Sequence, residues 1–251
     1  MANNKVEIEN NLTLIRSLIT KHKRHDHIFA GVGMFIIISL TITLLVLFLD
    51  LVFDGYPRFN LDFLTNFPSR RATAAGILSA WVGSSLVLIV TFFAAVPLGI
   101  AAGVYLEEYA KKNWFSDLIE INVTNLAGVP SIIYGLLALG LFVYSFGLGQ
   151  TILTAGLTLA LLMLPIVIVA TREAIRAIPI HIREAAYAVG ATKWQVSLHH
   201  VIQYSYGGIL TGVIIGMARA IGETAPVITI GALTFIAFLP PSPVGLEPPF
   251  I

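Results

Sequence analysis

Charged residues are absent from five long stretches of this sequence, and that absence limits the fold more than any other feature. The uncharged stretches cover residues 27–49, 72–106, 121–171, 194–218 and 224–246. A helix that crosses a membrane needs about 20 predominantly apolar residues. Charged residues make up 12% of the chain and hydrophobic residues 57%, whereas a soluble domain carries about 25% charge. A soluble globular fold is therefore excluded.

The apolar stretches predict an all-α membrane protein, a polytopic helical bundle. The stretch at 121–171 is long enough for two spans, and the sequence SFGLGQ at Ser145–Gln150 marks a break within it. The apolar runs lack the strict alternation that is typical of a transmembrane β-barrel. We therefore predict five spans, near residues 28–50, 79–106, 119–145, 151–172 and 201–238.

Lys and Arg are distributed unequally between the two sides of these spans. Cytoplasmic loops of membrane proteins carry an excess of both residues. With a cytoplasmic N-terminus, eleven of the 15 Lys and Arg lie inside, three lie outside, and Arg219 lies within the membrane. The distribution predicts a multi-pass protein of the cytoplasmic (inner) membrane with its N-terminus in the cytoplasm. The first apolar run is too long for the core of a cleaved signal peptide, so we expect it to remain as a span.

The same pattern divides the chain into three predicted regions. Residues 1–27 form a cytoplasmic tail, either a short interfacial helix or a solvated segment. Residues 28–238 form the transmembrane domain, surrounded by membrane lipids and containing a cytoplasmic loop at 173–200. Residues 239–251 form an external tail rich in proline, which cannot continue a helix.

The cytoplasmic loop contains a short predicted helix with small side chains. Pro179 ends the preceding helix, and the sequence EAAYAVG runs from Glu184 to Gly190. Ala185 and Ala186 allow the side chains of a partner to approach closely, and Glu184 supplies a polar group. From the residues alone, both a docking helix and an ordinary inter-helix loop remain open.

The segment EAAYAVG resembles the EAA loop of the permease subunits of ABC importers. In that family the loop forms a coupling helix that lies in a cleft of the ATPase subunit. The resemblance implies the MetI-like fold of type I importers. It also implies that Glu184, Ala185, Ala186 and Gly190 couple this chain to an ATPase.

Three other segments are similar to the PstA family of phosphate-specific permeases: Leu98–Ala110, Asn125–Val143 and Ala218–Pro226. That resemblance implies a subunit of an ATP-driven phosphate importer, working with a sister permease subunit, two ATPase subunits and an external phosphate-binding protein. It implies no cofactor in this chain, with ATP and Mg held by the partner ATPase. Members usually have six spans, whereas five are found in this sequence.

Small residues form a ridge along the fifth predicted span. Gly208, Gly212 and Gly216 recur at intervals of four, so they lie on one face of a helix. Small residues at this spacing let two membrane helices approach closely. The pattern predicts a helix-packing surface.

Two charges follow that ridge within the membrane, Arg219 and Glu223. Each costs about 2.5–3.5 kcal/mol at the centre of a span, so the two are expected to pair, to face water, or both. One interpretation is a structural ion pair. The other is a substrate pathway, because the planar guanidinium donates paired hydrogen bonds to phosphate oxygens. In that interpretation Glu223 holds Arg219 when phosphate is absent, and Thr224 supplies a further hydroxyl donor.

Two other features of the spans have simpler interpretations. The segment Gly128–Gly135, GVPSIIYG, is interrupted by glycine and proline and predicts either a packing kink or backbone that lines a cavity. Arg172 and Glu173 lie at the inner end of the fourth span, where we expect the side chains to reach out to water.

Other kinds of chemistry find little support in the sequence. There is no cysteine, the six histidines form no metal-binding pattern, and no phosphate-binding P-loop is present. We therefore expect no catalytic residue, no metal site and no enzymatic activity in this chain. The nearly neutral net charge of +1 argues against nucleic-acid binding. The alternatives are an ABC permease for another oxyanion, an ion-coupled secondary transporter that uses Arg219 and Glu223, and a membrane-embedded enzyme.

Overall fold

The computed structural model describes residues 2–71, 73–111, 113–231 and 239, and among residues 2–25 it describes the side chain of Lys23 alone. The described residues form helices, turns and connecting segments, and none of them lies in a strand. The all-α class predicted from the sequence is confirmed. The chain divides into two compact units, Met1–Leu61 and Asp62–Ile251.

The first unit is dominated by one long helix, α1 (Ala2–Gly55), which ends in a short 3-10 turn at Tyr56–Arg58. The stretch Asp26–Arg58 of this helix and its 3-10 turn is 33 residues long and contains an 18-residue window with a mean hydropathy of 2.8. That length exceeds the roughly 20 residues that a span requires. The backbone continues without a break at residue 28, where the sequence predicted the first span to begin.

The second unit contains nine further helices among its described residues. They are α2 (Leu61–Thr65), α3 (Leu78–Val104), α4 (Trp114–Leu126), α5 (Ser131–Ala138), α6 (Ile152–Arg176), α7 (Ile180–Ala188), α8 (Lys193–Val196), α9 (Ile202–Gly222) and α10 (Ala225–Thr229). Three π-helical turns extend or join them: Tyr105–Tyr109 follows α3, Leu139–Ser145 follows α5, and Ser197–Val201 connects α8 to α9.

Four helices of the described chain are long and apolar enough to cross a membrane: Asp26–Arg58, Leu78–Tyr109, Ile152–Arg176 and Lys193–Gly222. A fifth span is formed only if α4 and α5 with its π turn are counted together, and these are bent by 104°. The span predicted near 119–145 is therefore divided into two helices, within the glycine- and proline-containing segment Gly128–Gly135. Pro130 explains the bend, because proline lacks an N–H and disfavours a helical conformation of the residue before it.

The predicted fifth span over 201–238 is also interrupted, because α9 ends at Gly222 and α10 begins at Ala225. A proline clashes with the carbonyl four residues earlier and leaves it without an N–H partner. For Pro226 that carbonyl belongs to Gly222, which is the last residue of α9. Residues 232–238 of the predicted span, and the predicted tail at 239–251 except Leu239, lie outside the described residues.

Helix α6 lies at the centre of the second unit, between α3 and α9. Its buried residues include Ala160, Met163 and Val167, which pack with Ala95 of α3 and Val213 of α9. In addition to this apolar packing, α3 and α6 share a hydrogen bond. Thr91 of α3 donates a buried hydrogen bond of 3.1 Å to the carbonyl of Gly156 in α6.

The glycine ridge of α9 faces α6. A Cβ atom at Gly208 would lie 2.7 Å from the Cβ of Ala174, and one at Gly212 would overlap the Cβ of Ala170. A Cβ at Gly216 would lie 3.0 Å from the Cγ of Met163. The two backbones therefore approach to a separation that only glycine permits at the first two positions.

We expect Gly212→Ala to destabilise the subunit, because the added methyl group overlaps Ala170. Overpacking of a core costs about 1–3 kcal/mol, so the midpoint of thermal unfolding in detergent falls. Gly207→Ala is the matched control, since a Cβ there meets nothing within 4 Å. Adding Ala170→Gly to Gly212→Ala restores the midpoint. An unchanged midpoint in Gly212→Ala contradicts this packing of α6 on α9.

Candidate functional site

Arg219 and Glu223 form an ion pair at the point where α9 ends. The Nε of Arg219 lies 3.4 Å from an Oε of Glu223. Arg219 lies in the last turn of the helix, whereas Glu223 follows it with an extended backbone, at φ −83° and ψ 117°. The Arg219 side chain is 40% exposed and that of Glu223 18% exposed. A guanidinium with this exposure keeps donors available to a ligand.

Thr224 completes the short connection between α9 and α10. It is the N-cap residue of α10, but its side chain makes no capping hydrogen bond. Its carbonyl accepts a hydrogen bond of 2.9 Å from the amide of Ile228. The three residues predicted as pathway residues thus lie around one helix break, and Thr224 is exposed.

Helix α5 packs against the helix that follows this break. A Cβ at Gly135 would lie 2.8 Å from the Cα of Pro226 and 2.8 Å from the Cβ of Thr229. Glycine at this position therefore allows α5 and α10 to touch. The GVPSIIYG segment contains the bend between α4 and α5. Its last residue, Gly135, contacts α10, which follows Arg219 in the chain.

A buried tyrosine holds the bend between α4 and α5. The hydroxyl of Tyr134 donates a hydrogen bond of 2.8 Å to the carbonyl of Leu126, the last residue of α4. That carbonyl also accepts a hydrogen bond of 3.2 Å from the amide of Val129, in the turn after α4. Sequence reasoning did not single out Tyr134. The signal that was available is the pair of proline-broken segments, since interrupted helices in transporters commonly lie near the substrate.

The EAA segment forms α7, and the structure separates its residues by exposure. Glu184, Ala185 and Gly190 are exposed, whereas Ala186 is buried against Ile175 and Val196. Gly190 has φ +85° and donates a hydrogen bond of 2.9 Å to the carbonyl of Tyr187. Glycine is favoured there because this left-handed conformation strains other residues.

Ala186, one of the four residues to which the resemblance assigns a coupling role, is buried within this chain. In this chain Ala186 belongs to the packing that holds α7 against α6 and α8. Beside it lies an open groove of about 420 Å³, whose lining residues are His181, Ile182, Ala185, Ala186, Val189 and His200. Val189, at its rim, is 85% exposed, so the groove offers an apolar edge to a partner.

The turn after α7 is fixed by a capping box. The Thr192 side chain accepts from the amide of Gln195, and the Gln195 side chain accepts from the amide of Thr192 at 2.8 Å. Together these bonds satisfy two donors at the start of α8 that have no partner in the helix. The turn that follows the exposed surface of α7 is therefore held in place.

A cluster of ion pairs joins α6 to the ends of α3 and α4. Arg172 lies 2.7 Å from Glu120 and 3.4 Å from Glu107, and Arg176 lies 3.0 Å from each of the same two carboxylates. The Arg172 side chain is only 7% exposed. The prediction that Arg172 reaches out to water is therefore wrong, because carboxylates from two other helices neutralise it within the protein. Glu173, which is paired with Arg176, is 64% exposed as expected.

The same end of α3 also contacts the loop that contains α7. Glu108 accepts two hydrogen bonds from Arg183, at 2.9 and 3.1 Å. The ammonium group of Lys193 lies 4.9 Å from the ring centroid of Tyr109. Sequence reasoning missed these contacts, and no spacing within the sequence reveals them. Among the described residues, no group of three or more His, Cys, Asp or Glu is placed to hold a metal ion.

Comparison with known proteins connects this architecture to a family. Residues 95–243 match the family model described as the binding-protein-dependent transport system inner membrane component. The chain belongs to this family. The matched residues include the break between α4 and α5, the break between α9 and α10, the ion pair of α9 and the whole loop that contains α7. The chain is therefore a multi-pass membrane protein and a permease subunit, as the resemblance in the sequence implied.

Three relatives from bacteria match this permease over most of its length. The phosphate transport system permease protein PstA of Yersinia pestis is 31% identical over 231 residues, covering 89% of this chain and 77% of the relative. PstA of Haemophilus influenzae is 32% identical, covering 82% and 73%. The probable ABC transporter permease protein YqgI of Bacillus subtilis is 31% identical, covering 80% and 69%.

A solved structure supports the fold. The permease is similar to a chain of the MetNI methionine ABC transporter in an inward-facing conformation, with a TM-score of 0.53 and 20% identity. The match covers 62% of this permease and 74% of that chain. The predicted fold class, a helical bundle of the ABC importer permease type, is confirmed.

Proposed function

We propose that this permease is a PstA-like subunit of an ATP-driven importer that moves inorganic phosphate across the cytoplasmic membrane. The observation that carries the proposal is the match, over 89% of the chain, to a relative that is itself named a phosphate transport permease. The geometry at the end of α9 supports it, because the exposed guanidinium of Arg219 lies beside the break between α9 and α10.

Arg219 is the group that binds phosphate in this proposal, and Glu223 is its counter-ion in the resting state. A guanidinium donates two parallel hydrogen bonds to an oxyanion. The present contact between the two side chains is a single one of 3.4 Å, so little is lost when phosphate replaces the carboxylate. Thr224, which is exposed between α9 and α10, supplies a further hydroxyl donor.

The loop with α7 is the part that docks the ATPase. Exposed Glu184, Ala185 and Gly190, together with the groove beside them, form its contact surface. Closure of the ATPase around ATP moves α7, and the bundle then opens toward the outside to accept phosphate. Loss of nucleotide returns the bundle to the inward-facing state. ATP and Mg remain on the ATPase, so this chain itself is not an enzyme.

The assembly we propose contains a sister permease subunit, two ATPase subunits and an external phosphate-binding protein. The N-terminus and the loop with α7 lie in the cytoplasm, following the distribution of Lys and Arg. The exposed apolar surface of the described helices, such as Phe93 and Ile214, is covered by lipid and by the sister subunit.

The proposal is tested by uptake of labelled phosphate into vesicles that contain the reconstituted complex. We expect uptake that requires ATP and the binding protein, and that excess unlabelled phosphate abolishes while excess sulfate does not. Competition by sulfate at equal strength identifies a permease for another oxyanion instead. Uptake that continues without ATP and follows an ion gradient indicates a secondary transporter.

Arg219→Lys keeps the positive charge but loses the fork of donors, so we expect phosphate uptake to fall about tenfold to a hundredfold. That range corresponds to one charge-assisted hydrogen bond of about 1.5–3 kcal/mol. Uptake is measured at equal amounts of assembled complex. The double variant Arg219→Ala with Glu223→Ala removes both charges and separates the two interpretations of the pair. Recovery of assembly without recovery of uptake supports a pathway role, and recovery of both shows that the pair is only structural.

Ala185→Trp is expected to release the ATPase, because the large side chain fills the exposed face of α7 without disturbing the chain's own packing. Co-purification of the ATPase with the tagged permease measures this, and Ala185→Ser is the small control. Ala186→Trp is expected to act differently: it disrupts the buried packing of α7 and lowers the stability of the isolated subunit as well. Full retention of the ATPase by Ala185→Trp contradicts docking at this face.

A further inference from the structure

Three consecutive residues at the end of α3 contact three different parts of the protein. Glu107 pairs with Arg172 and Arg176 of α6, Glu108 with Arg183 of α7, and Tyr109 with Lys193 of α8. They lie in the π-helical turn Tyr105–Tyr109, which the amide of Ala110 closes by bonding to the carbonyl of Tyr105 at 2.9 Å. Such a turn inserts an extra residue into a helix and is frequent at functional sites.

Arg183, the partner of Glu108, is the most constrained residue among these contacts. Its guanidinium donates two hydrogen bonds to Glu108, one of 3.0 Å to the carbonyl of Ile175 and one of 3.3 Å to the carbonyl of Ile178. Ile175 lies in the last turn of α6, where its carbonyl also accepts from the amide of Ile178 at 3.2 Å, and Ile178 follows the end of that helix. One side chain of α7 therefore binds the ends of both α3 and α6.

The Arg183–Glu108 pair is shielded from water. The Glu108 side chain is 7% exposed and that of Arg183 is 19% exposed. A shielded pair with several hydrogen bonds is strengthened by its low-dielectric surroundings, and loss of one partner leaves the other uncompensated. This contact is therefore stiffer than an exposed pair such as Arg176–Glu173, in which Glu173 is 64% exposed.

One face of α3 packs closely against α6 up to the turn before Glu108, so displacement at this end is passed to the packed part of the helix. A Cβ at Gly99 would lie 2.7 Å from Val167, and one at Gly103 would lie 2.7 Å from Thr171. Both contacts are with α6, whose buried face forms the core. A pull on Glu108 consequently moves α3 as a unit rather than bending its last turn.

We infer that the Arg183–Glu108 pair is the joint through which movement of α7 reaches α3 during transport. Both are positioning residues: neither contacts the substrate, and each acts through the helix that carries it. The inference rests on the proposed function, since it assumes that α7 is moved by an ATPase. It predicts that breaking the pair separates ATP hydrolysis from transport while the ATPase stays bound.

The test uses the complete reconstituted complex with Glu108→Gln in the permease, and measures phosphate imported per ATP hydrolysed. We expect this ratio to fall about tenfold, with the ATPase still co-purifying and ATP still hydrolysed. Glu108→Asp, which keeps the carboxylate, retains part of the ratio. Glu173→Gln is the matched control, because it removes an exposed carboxylate from the neighbouring ion pair and leaves the ratio unchanged.

Two results overturn the inference. One is an unchanged ratio of phosphate imported to ATP hydrolysed in Glu108→Gln. The other is a loss of assembly in proportion to the losses of uptake and hydrolysis, which is the behaviour of a merely structural contact. If Glu108→Gln prevents assembly, Arg183→Lys, which keeps the charge but loses the guanidinium fork, is measured in its place and judged by the same two results. A wild-type complex that imports no phosphate contradicts the proposed function itself. A wild-type complex that imports phosphate beside a Glu108→Gln complex of equal ratio contradicts only the joint.

Discussion

Close packing of α6 between α3 and α9 is the contact on which the rest of the second unit depends. Glycine makes it possible, because Gly99 of α3 meets Val167, and Gly212 of α9 meets Ala170. Lipid is as apolar as a leucine side chain, so helices in a membrane associate through van der Waals contact rather than through the hydrophobic effect. Small residues maximise that contact. The central helix is therefore held on two sides by close contacts between helices, and its position determines where the breaks and loops around it lie.

The two helix breaks acquire their position from this frame. Proline removes a backbone donor and clashes with a carbonyl one turn earlier, so Pro130 and Pro226 determine where the helices end. Packing determines where the free ends lie, and Gly135 brings α5 onto α10. Arg219 follows Gly208, which lies opposite Ala174 near the loop end of α6, by eleven positions, or about 16 Å of helix at 1.5 Å per residue. The ion pair of α9 consequently lies about three helical turns from that end and away from the surface of α7.

The sequence allowed prediction of the spans, of the glycine ridge and of the charges at the end of α9, because each depends on residues near one another in the chain. The 104° bend was not predicted, since proline marks where a helix stops but not the angle of the next one. The partners of Arg172 were missed for a different reason: Glu120 lies on another helix, and only the tertiary fold brings the two within 2.7 Å. Nor does the sequence of a nine-residue helix such as α7 reveal which alanine it buries. The burial of Ala186 depends on the later residue Val196.

The charges of the second unit have two different kinds of surroundings, which agree with the two roles we propose for them. At the loop end, Arg172 and Arg183 are shielded and have carboxylates from other helices within 2.9 Å, so their positive charge is already neutralised by the protein. Arg219 is 40% exposed and has one contact of 3.4 Å, to a carboxylate four residues away on its own segment. An arginine with a close carboxylate has little affinity left for a further anion, whereas a loosely paired one exchanges its partner at small cost. The shielded arginines are therefore suited to transmit force between helices, and Arg219 is suited to bind and release an oxyanion.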